Sequence, residues 1–323
     1  MTKEKEEKLK IFRESLRKKF GEGSVVVGGD AGVQVYEVIP TGSIDLNEKL
    51  TIGGYPRGRF TEIFGPESSG KSTLCLHAIA ECQERGGIAA YIDLECSYDS
   101  FYAGQIGVNT DELYIVQPNS SEEGLNIMLE MLESGLYDLV ILDSVAAISP
   151  TGEQEDIIGA QKMGLVARLM SSALRKLVPA AFKSNTAVIM VNQIREKIGG
   201  YGNPITTPGG KALGFAASLR LQTSCSTNKA TDGSVISNHI KVRVIKSKVG
   251  RPFLTSEFDV AFGEGIDKKG EILSKCIERE IIKKGGAWLT YGEVKVQGME
   301  KFKQLMDDNE ELYKELKEKI INV

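Results

Sequence analysis

Apolar and polar residues alternate along this chain in blocks that predict a strand–helix succession. Residues 59–64 read as a strand, and 73–85 as a helix with Leu74, Leu76, Ala78, Ile79 and Ala80 spaced for a buried face. Further buried strands are predicted at 88–94, 113–116, 138–144 and 187–191, with helices at 121–134 and 161–183. From Val33 to Thr223 this alternation is that of a mainly parallel sheet with crossover helices, an α/β architecture. Ligands in such sheets bind beyond the carboxyl ends of the strands. Three strands therefore deliver Glu95, Asp143 and Gln193 to one edge.

The ends of the chain read differently. Residues 239–246 and 253–262 predict an antiparallel hairpin closing the sheet. From Gly265 onward a small α/β unit is expected: a helix at 272–281, a turn at 285–288, a short hairpin at 289–296, and one charged helix at 300–320 with Leu305, Leu312, Leu316 and Ile320 as its core stripe. At the other end, Leu9, Phe12, Leu16 and Phe20 form one helical stripe that Gly21 and Gly23 terminate, with a β-branched strand at 24–27. So short a helix cannot bury that stripe alone. Packing on its own core and docking on a neighbouring subunit both remain open. The organisation expected is an N-terminal arm at 1–33, a core at 34–264 and a C-terminal domain at 265–323.

Composition narrows the setting. The 323 residues are 41% hydrophobic and 26% charged, those of a soluble globular protein. A net charge of −4 gives no hint of nucleic acid, so any such binding must come from local patches. The first twenty residues are locally basic, with eight Lys/Arg against four Glu. Five cysteines without a C-x-x-C pair and just two histidines argue against a zinc site and for a reducing compartment. The charged N-terminus is unlike a signal peptide, and no run approaches ~18 apolar residues, so no membrane is expected and the setting reads as cytosolic.

The stretch Gly65-Pro66-Glu67-Ser68-Ser69-Gly70-Lys71-Ser72 carries the clearest chemistry. It fits G-x-x-x-x-G-K-[ST], between a predicted strand and a predicted helix, as a P-loop requires. Its glycines let backbone N–H groups point at a phosphate, and the helix N-terminus adds a positive dipole end. Lys71 would reach the β- and γ-phosphates of a nucleoside triphosphate, with the Ser72 hydroxyl on Mg²⁺. Asp143, after four apolar residues, is placed as a Walker-B acid holding the same Mg²⁺, though an acid there can also simply cap a turn. Glu95 is either a solvated loop residue or a carboxylate that orients or deprotonates the attacking water. Gln193 is either a plain polar strand end or a sensor whose amide meets a γ-phosphate and passes its state onward.

That onward path is the stretch 194–210, rich in Gly, Thr and Pro, bearing Arg195 and Lys197 and followed by Lys211. A loop this long is usually functional or disordered. Its backbone and cations could grip phosphates, and Tyr201 could stack on a base; a floppy surface loop is the plainer alternative. A shorter stretch, 153–164, shares the ambiguity and is acidic at its start. The Lys246-Ser247-Lys248 pair reads on its own as an exposed strand end.

Taken together, residues 65–74, Tyr91-Ile92-Asp93-Leu94-Glu95, Leu142-Asp143-Ser144-Val145-Ala146-Ala147, Asn192-Gln193-Ile194-Arg195 and Gly263-Glu264-Gly265-Ile266 closely resemble bacterial RecA recombinases, in the family's order and approximate spacing. The resemblance implies a RecA-type P-loop ATPase core with a mainly parallel twisted sheet, an N-terminal helix–strand polymerisation arm and a small C-terminal α/β domain. It also implies a helical homo-oligomer on single-stranded DNA that hydrolyses ATP with Mg²⁺ and exchanges strands with homologous double-stranded DNA, with rings as a further assembly. A LexA-type repressor as partner, through a co-protease role in the SOS response, belongs to the same family picture.

By matching position, Glu95 resembles the catalytic glutamate and Gln193 the γ-phosphate sensor. The P-loop with Thr73, and Gly263, match nucleotide contacts; Tyr102 matches the aromatic that stacks on adenine, with Asp99 at the exocyclic amine. Lys246 and Lys248 resemble a pair reaching the neighbouring subunit's phosphates. Met163, Arg168, Arg175, Gly209, Gly210 and Lys211 match DNA contacts, and Phe215 an interface residue. Cys96-Ser97-Tyr98 stands where the family has a histidine-containing turn, the second loop is one residue short, Pro208 replaces a threonine, and the acidic tail of many relatives is not seen by Val323, which together read as a divergent member. Two other classes use the same P-loop: a small-molecule kinase, and a ring-forming helicase motor or regulatory ATPase.

Overall fold

The computed structural model describes residues 2–21, 25, 36–150, 164–196, 205–229 and 233–321. It divides into two compact units, Met1–Tyr36 and Glu37–Val323. In the first, helix α1 (Lys3–Phe20) buries none of its residues and stops at Gly21, whose φ of 99° suits glycine. The expected strand at 24–27 lies outside the described residues apart from Val25, whose carbonyl accepts from Arg17 Nε at 3.0 Å.

The second unit is built on a nine-stranded sheet: β1 (Phe60–Gly65), β2 (Ala89–Asp93), β3 (Tyr114–Val116), β4 (Leu139–Asp143), β5 (Ala187–Gln193), β6 (Leu219–Lys229), β7 (Val235–Ser247), β8 (Thr255–Ala261) and β9 (Gly265–Ile266). Their spatial order is β9-β8-β7-β6-β1-β5-β4-β2-β3. From β3 across to β6 all neighbours are parallel, and from β6 to β9 they are antiparallel. The pattern-based expectation of a parallel sheet closed by a hairpin is therefore met. β6 was not foreseen as one strand: its first half carries buried Leu219, Leu221 and Thr223 and its second half is mostly exposed and polar, which hides an 11-residue strand from a hydrophobic reading.

Helices α2 (Ile44–Lys49), α3 (Lys71–Glu84), α4 (Ser100–Ile106), α5 (Ser121–Ser134), α6 (Leu165–Ser184) and α7 (Lys211–Ala216) accompany the sheet. Strand side chains alternate between its two faces. Ile63, Leu139 and Ile141 join Leu74, Ala78 and Ile79 of α3 in one core cluster. Phe60, Val140 and Leu142 join Leu125 and Met128 of α5 and Met170 and Leu174 of α6 in another. The stretch expected to be structureless from 194 to 210 is partly paired: Arg195–Glu196 runs antiparallel to Ile205–Thr206, so its base is a short ribbon.

After β9 follow α8 (Lys268–Glu278), a three-stranded sheet of Lys283–Gly285, Trp288–Tyr291 and Val294–Gln297, then α9 (Met299–Asp308) and α10 (Glu310–Ile321). Where one helix over 300–320 was expected there are two. The run Asp307-Asp308-Asn309 breaks it: Asn309 is extended, and its Oδ1 accepts from Leu312 N at 3.1 Å, capping the second helix. Phe302 and Met306 of α9 and Leu316 and Ile320 of α10 still close on Ile272, Leu273 and Cys276 of α8. One face of α8 is clasped to α2. Glu271 accepts from Ser43 Oγ at 2.6 Å, and Lys275 reaches Asp45 at 2.6 Å and Glu48 at 2.8 Å. Burial pushes the Glu271 carboxyl up to about 7.

Candidate functional site

The turn after β1 is shaped by backbone demands that few residues meet. Ser68 and Gly70 both have left-handed φ, 53° and 81°. Such alternation makes successive N–H groups converge, and α3 begins directly at Lys71 so that its first amides join them. Gly65 is enclosed: a Cβ there would lie 2.2 Å from Thr223 Oγ1. Ser69 Oγ shares a 2.6 Å hydrogen bond with that Thr223 hydroxyl and donates to Pro66 O at 2.7 Å. The loop is thus pinned from β6, while Pro66, Glu67 and Ser68 stay exposed around the cradle.

Lys71 is buried, and its Nζ donates to the Pro66 carbonyl at 2.5 Å. Burial pulls its pKa down, against the upward pull of Asp143 and Glu95. Ser72 Oγ donates to Asp143 Oδ2 at 2.9 Å, and the same oxygen accepts from Tyr91 OH at 2.6 Å. The Asp143 carboxyl is pushed up, first by burial, with the Tyr91 and Ser72 bonds acting in the opposite sense. Glu95 is exposed two residues beyond β2, and its Oε1 accepts from Ser144 Oγ and, at 3.2 Å, from Gln193 Nε2. The turn that carries it is held by Asp93, which is buried and accepts from Ser97 N at 3.2 Å and Tyr98 N at 3.0 Å. The Cys96-Ser97-Tyr98 segment is accommodated this way, with Cys96 at φ 52° and Tyr98 tilted on Tyr91 at 5.8 Å.

Lys71 and Ser72, read from the P-loop, and Glu95, Asp143 and Gln193, read from three strand ends, thus meet in one group. Thr73 Oγ1 lies 3.1 Å from Tyr102 OH, which brings α4 to the cradle. Asp99 caps α4, its Oδ1 accepting from Phe101 N at 2.9 Å and Tyr102 N at 3.1 Å. Gly263 lies in the turn between β8 and β9, three strands from β1, with φ 79°. Tyr91, Ser144 and Thr223 were not singled out from sequence. Tyr91 had a readable signal, since a tyrosine inside a buried strand needs a partner for its hydroxyl.

Lys246 and Lys248 are not at their own P-loop. Lys246 pairs with Arg220 and Arg220 with Glu62, three residues before Gly65, or about 10 Å back along β1. Lys246 Nζ donates to Gly214 O at 2.7 Å and Phe215 O at 3.1 Å, and Lys248 Nζ to Phe215 O at 2.9 Å. Partial burial first, then Lys248 and Arg220, pulls the Lys246 amine down to about 8. Phe215 itself is 72% exposed. A cavity of about 700 Å³ opens here, with Arg220, Arg243, Lys211 and Lys246 in its wall.

Of the residues matched to DNA contacts, Arg168 and Arg175 are exposed on α6, two turns apart on one face. Arg195 is exposed at the ribbon, and Lys211 is exposed at the first position of α7. Gly209 and Gly210 have left-handed φ, and a Cβ on either would press within 2.9 Å of Val145 or Ala167. Met163, Lys197 and Tyr201 lie outside the described residues.

The oxygen donors Ser72 and Asp143 suit Mg²⁺, which takes one or two protein oxygens and completes its shell with phosphate and water. Among the described residues no group of three or more His, Cys, Asp or Glu could hold a metal on its own. No helix among them is long and apolar enough to cross a membrane.

Two family models cover the chain, the RecA N-terminal domain over residues 7–267 and the RecA C-terminal domain over 270–323. Protein RecA of Porphyromonas gingivalis is 50% identical over 325 residues, covering 99% of this chain and 95% of the relative. Protein RecA of Bacteroides thetaiotaomicron is 50% identical over 315 residues, 96% of each. Protein RecA of Campylobacter jejuni is 47% identical over 325 residues, covering 100% of this chain and 95% of the relative. The fold is also that of the crystal structure of the RadB recombinase, with a TM-score of 0.56 at 22% identity, covering 71% of this chain and 98% of that one. Near-full-length identity of this order, on a sheet and P-loop of this geometry, means that the chain belongs to the RecA family of DNA recombinases.

Proposed function

We propose that this protein is an ATP-hydrolysing recombinase that assembles as a filament on single-stranded DNA and exchanges its strand with homologous duplex. The observation that carries the reading is the position of Gln193. Its side chain meets Glu95 at the nucleotide cradle, and its main chain runs directly into the ribbon of the 194–210 loop. Glu95 takes the proton of the attacking water. Lys71 and the P-loop amides hold the phosphates, Ser72 and Asp143 hold Mg²⁺, and Tyr102 with Asp99 receives the base. Bound there, Mg²⁺ would supply positive charge against the triphosphate. Arg168, Arg175, Arg195 and Lys211, with Gly209 and Gly210, grip DNA phosphates. Residues 1–33 are the polymerisation arm, 34–264 the catalytic core and 265–323 the C-terminal domain; the unburied stripe of α1 supports the first of these assignments. The setting is cytoplasmic.

The test is ATP hydrolysis with and without single-stranded DNA, with electron microscopy of the same mixture and a strand-exchange assay. Hydrolysis stimulated by the strand, filaments and paired products are expected. A rate indifferent to the strand sinks the reading, and stimulation without exchange makes the protein a helicase-like motor instead.

Lys246 and Lys248 act on the neighbour's phosphates, since in their own protomer they lie on α7 carbonyls away from the P-loop. Cations supplied in trans stabilise charge in phosphoryl transfer. Lys248→Ala and Glu95→Gln should each be nearly inactive alone, yet complement when mixed. In a random head-to-tail assembly about a quarter of the interfaces then pair an intact Glu95 with an intact Lys248. Mixtures that co-assemble without regaining hydrolysis would place the lysines outside catalysis. An anion at Lys246 favours its charged form, so assembly above about pH 8 should take up protons.

A further inference from the structure

A second polar cluster lies beneath the nucleotide cradle, with a fully buried carboxylate at its centre. Glu62 sits inside β1, three residues before Gly65, and is 0% exposed, as is Asn192 in β5. Its two oxygens are divided between two donors: Oε2 accepts from Arg220 Nε at 2.6 Å, and Oε1 from Asn192 Nδ2 at 3.0 Å. Asn192 in turn engages both its amide nitrogen and its amide oxygen. Nδ2 also donates to Pro208 O at 3.1 Å, and Oδ1 accepts the backbone N–H of Gln193 at 3.0 Å. Arg220 lies over the Phe64 ring at 4.7 Å and opposite Lys246 in the ladder. Hydrogen bonds therefore link Ser144 and Glu95 to the Gln193 side chain, and the Gln193 backbone N–H through Asn192 to Glu62 and Arg220, with one branch to Pro208; the two halves are joined by the covalent frame of Gln193 itself.

Strand pairing does not need this series, because the backbone of β5 is already paired with β1 as far as Gln193. A buried carboxylate is costly unless its lone pairs are satisfied, and in some proteins such a polar network is retained for what it specifies and not for stability. What it specifies here is position. β1 is anchored by the P-loop at its end, so Glu62 is a fixed pivot. Asn192 is held on that pivot with the main chain of Gln193 on one side and Pro208, at the end of the 194–210 loop, on the other. Beyond Pro208 come Gly209 and Gly210, both in left-handed φ at 83° and 75°, and then α7. A shift at Gln193 therefore reaches the glycine pair at the loop's end through a single side chain.

We infer that Asn192, held by Glu62, is the positioning residue that couples the nucleotide at the cradle to the grip of the 194–210 loop on DNA. The inference rests on the proposed function above and adds the joint through which its two sites communicate. Asn192 acts through Gln193 and Pro208, and Glu62 acts through Asn192.

The experiment measures the affinity of the full chain for a fluorescent single-stranded oligonucleotide with and without a non-hydrolysable ATP analogue, alongside the affinity for the analogue itself. In the parent protein the analogue should tighten DNA binding by about 5–150-fold, the usual range of coupling between sites. Asn192→Ala should reduce that factor to within about twofold of one while changing analogue affinity by no more than about twofold. Glu62→Gln keeps the volume, but it puts an amide NH2 where one of the two oxygens meets Arg220 or Asn192, and the same collapse is expected. It decides the matter if Asn192→Ala fails to fold. A folded variant that keeps the parental factor overturns the inference alone. A parent with no nucleotide-dependent tightening overturns the proposed function, and this inference with it.

Discussion

Glu95→Gln is expected to slow ATP hydrolysis by about 10²–10⁴-fold, the usual contribution of a general base, with nucleotide affinity retained. The side chain stands at the junction of two strand ends, its Oε1 accepting from Ser144 Oγ and Gln193 Nε2. A glutamine has the same volume and keeps a carbonyl oxygen for those donors, so the cradle should persist. It cannot take a proton from water. On the proposed function, filaments formed with ATP should then outlive those of the parent protein, because the bound nucleotide is not consumed. Single-turnover hydrolysis and the lifetime of DNA complexes after dilution measure the two consequences. A rate within about tenfold of parental would remove Glu95 from the base role.

The second large effect is expected from Lys71→Ala. Lys71 is buried at the first position of α3, with Asp143 and Glu95 both near enough to raise its pKa against the effect of burial. Its ammonium donates to Pro66 O within the loop, from which it can turn to a phosphate with little rearrangement. A hydrogen bond to a charged group is worth about 1.5–3 kcal/mol, so ATP affinity should fall by about 10–100-fold. Losing a cation from the transferring phosphoryl group should lower the remaining turnover by a further ~10²–10³-fold. Deletion also leaves Asp143 without a compensating charge, and its already raised pKa should rise again. Titration with a fluorescent nucleotide reads the first effect and hydrolysis at saturating ATP the second. Nucleotide binding within about threefold of parental would contradict the assigned role.

Much of this site was legible in the chain because its parts are local. The P-loop is eight consecutive residues whose spacing states its own geometry, and the carboxyl ends of β2, β4 and β5 announce themselves as apolar runs ending in polar residues. The parallel order follows from the same alternation. The break at Asn309 was written in Asp307-Asp308-Asn309, although the leucine spacing on either side reads as one continuous stripe. The strand β6 was hidden because half of it faces solvent.

The amino-acid sequence by itself determined the α/β sheet, the phosphate cradle and the residue types gathered at its edge, since these depend on periodicity and on backbone demands within short stretches. Tertiary structure alone decided which side chains complete them. Tyr91 on Asp143, Thr223 on Ser69, and Asn192 between Glu62 and Pro208 are pairings between distant segments. It also turned Lys246 and Lys248 onto α7 and away from their own P-loop. The physical reason is one of range: a strand's alternation sets which face a residue occupies, but its hydrogen-bond partner is chosen by the register of neighbouring strands, and that register is settled only when the sheet assembles.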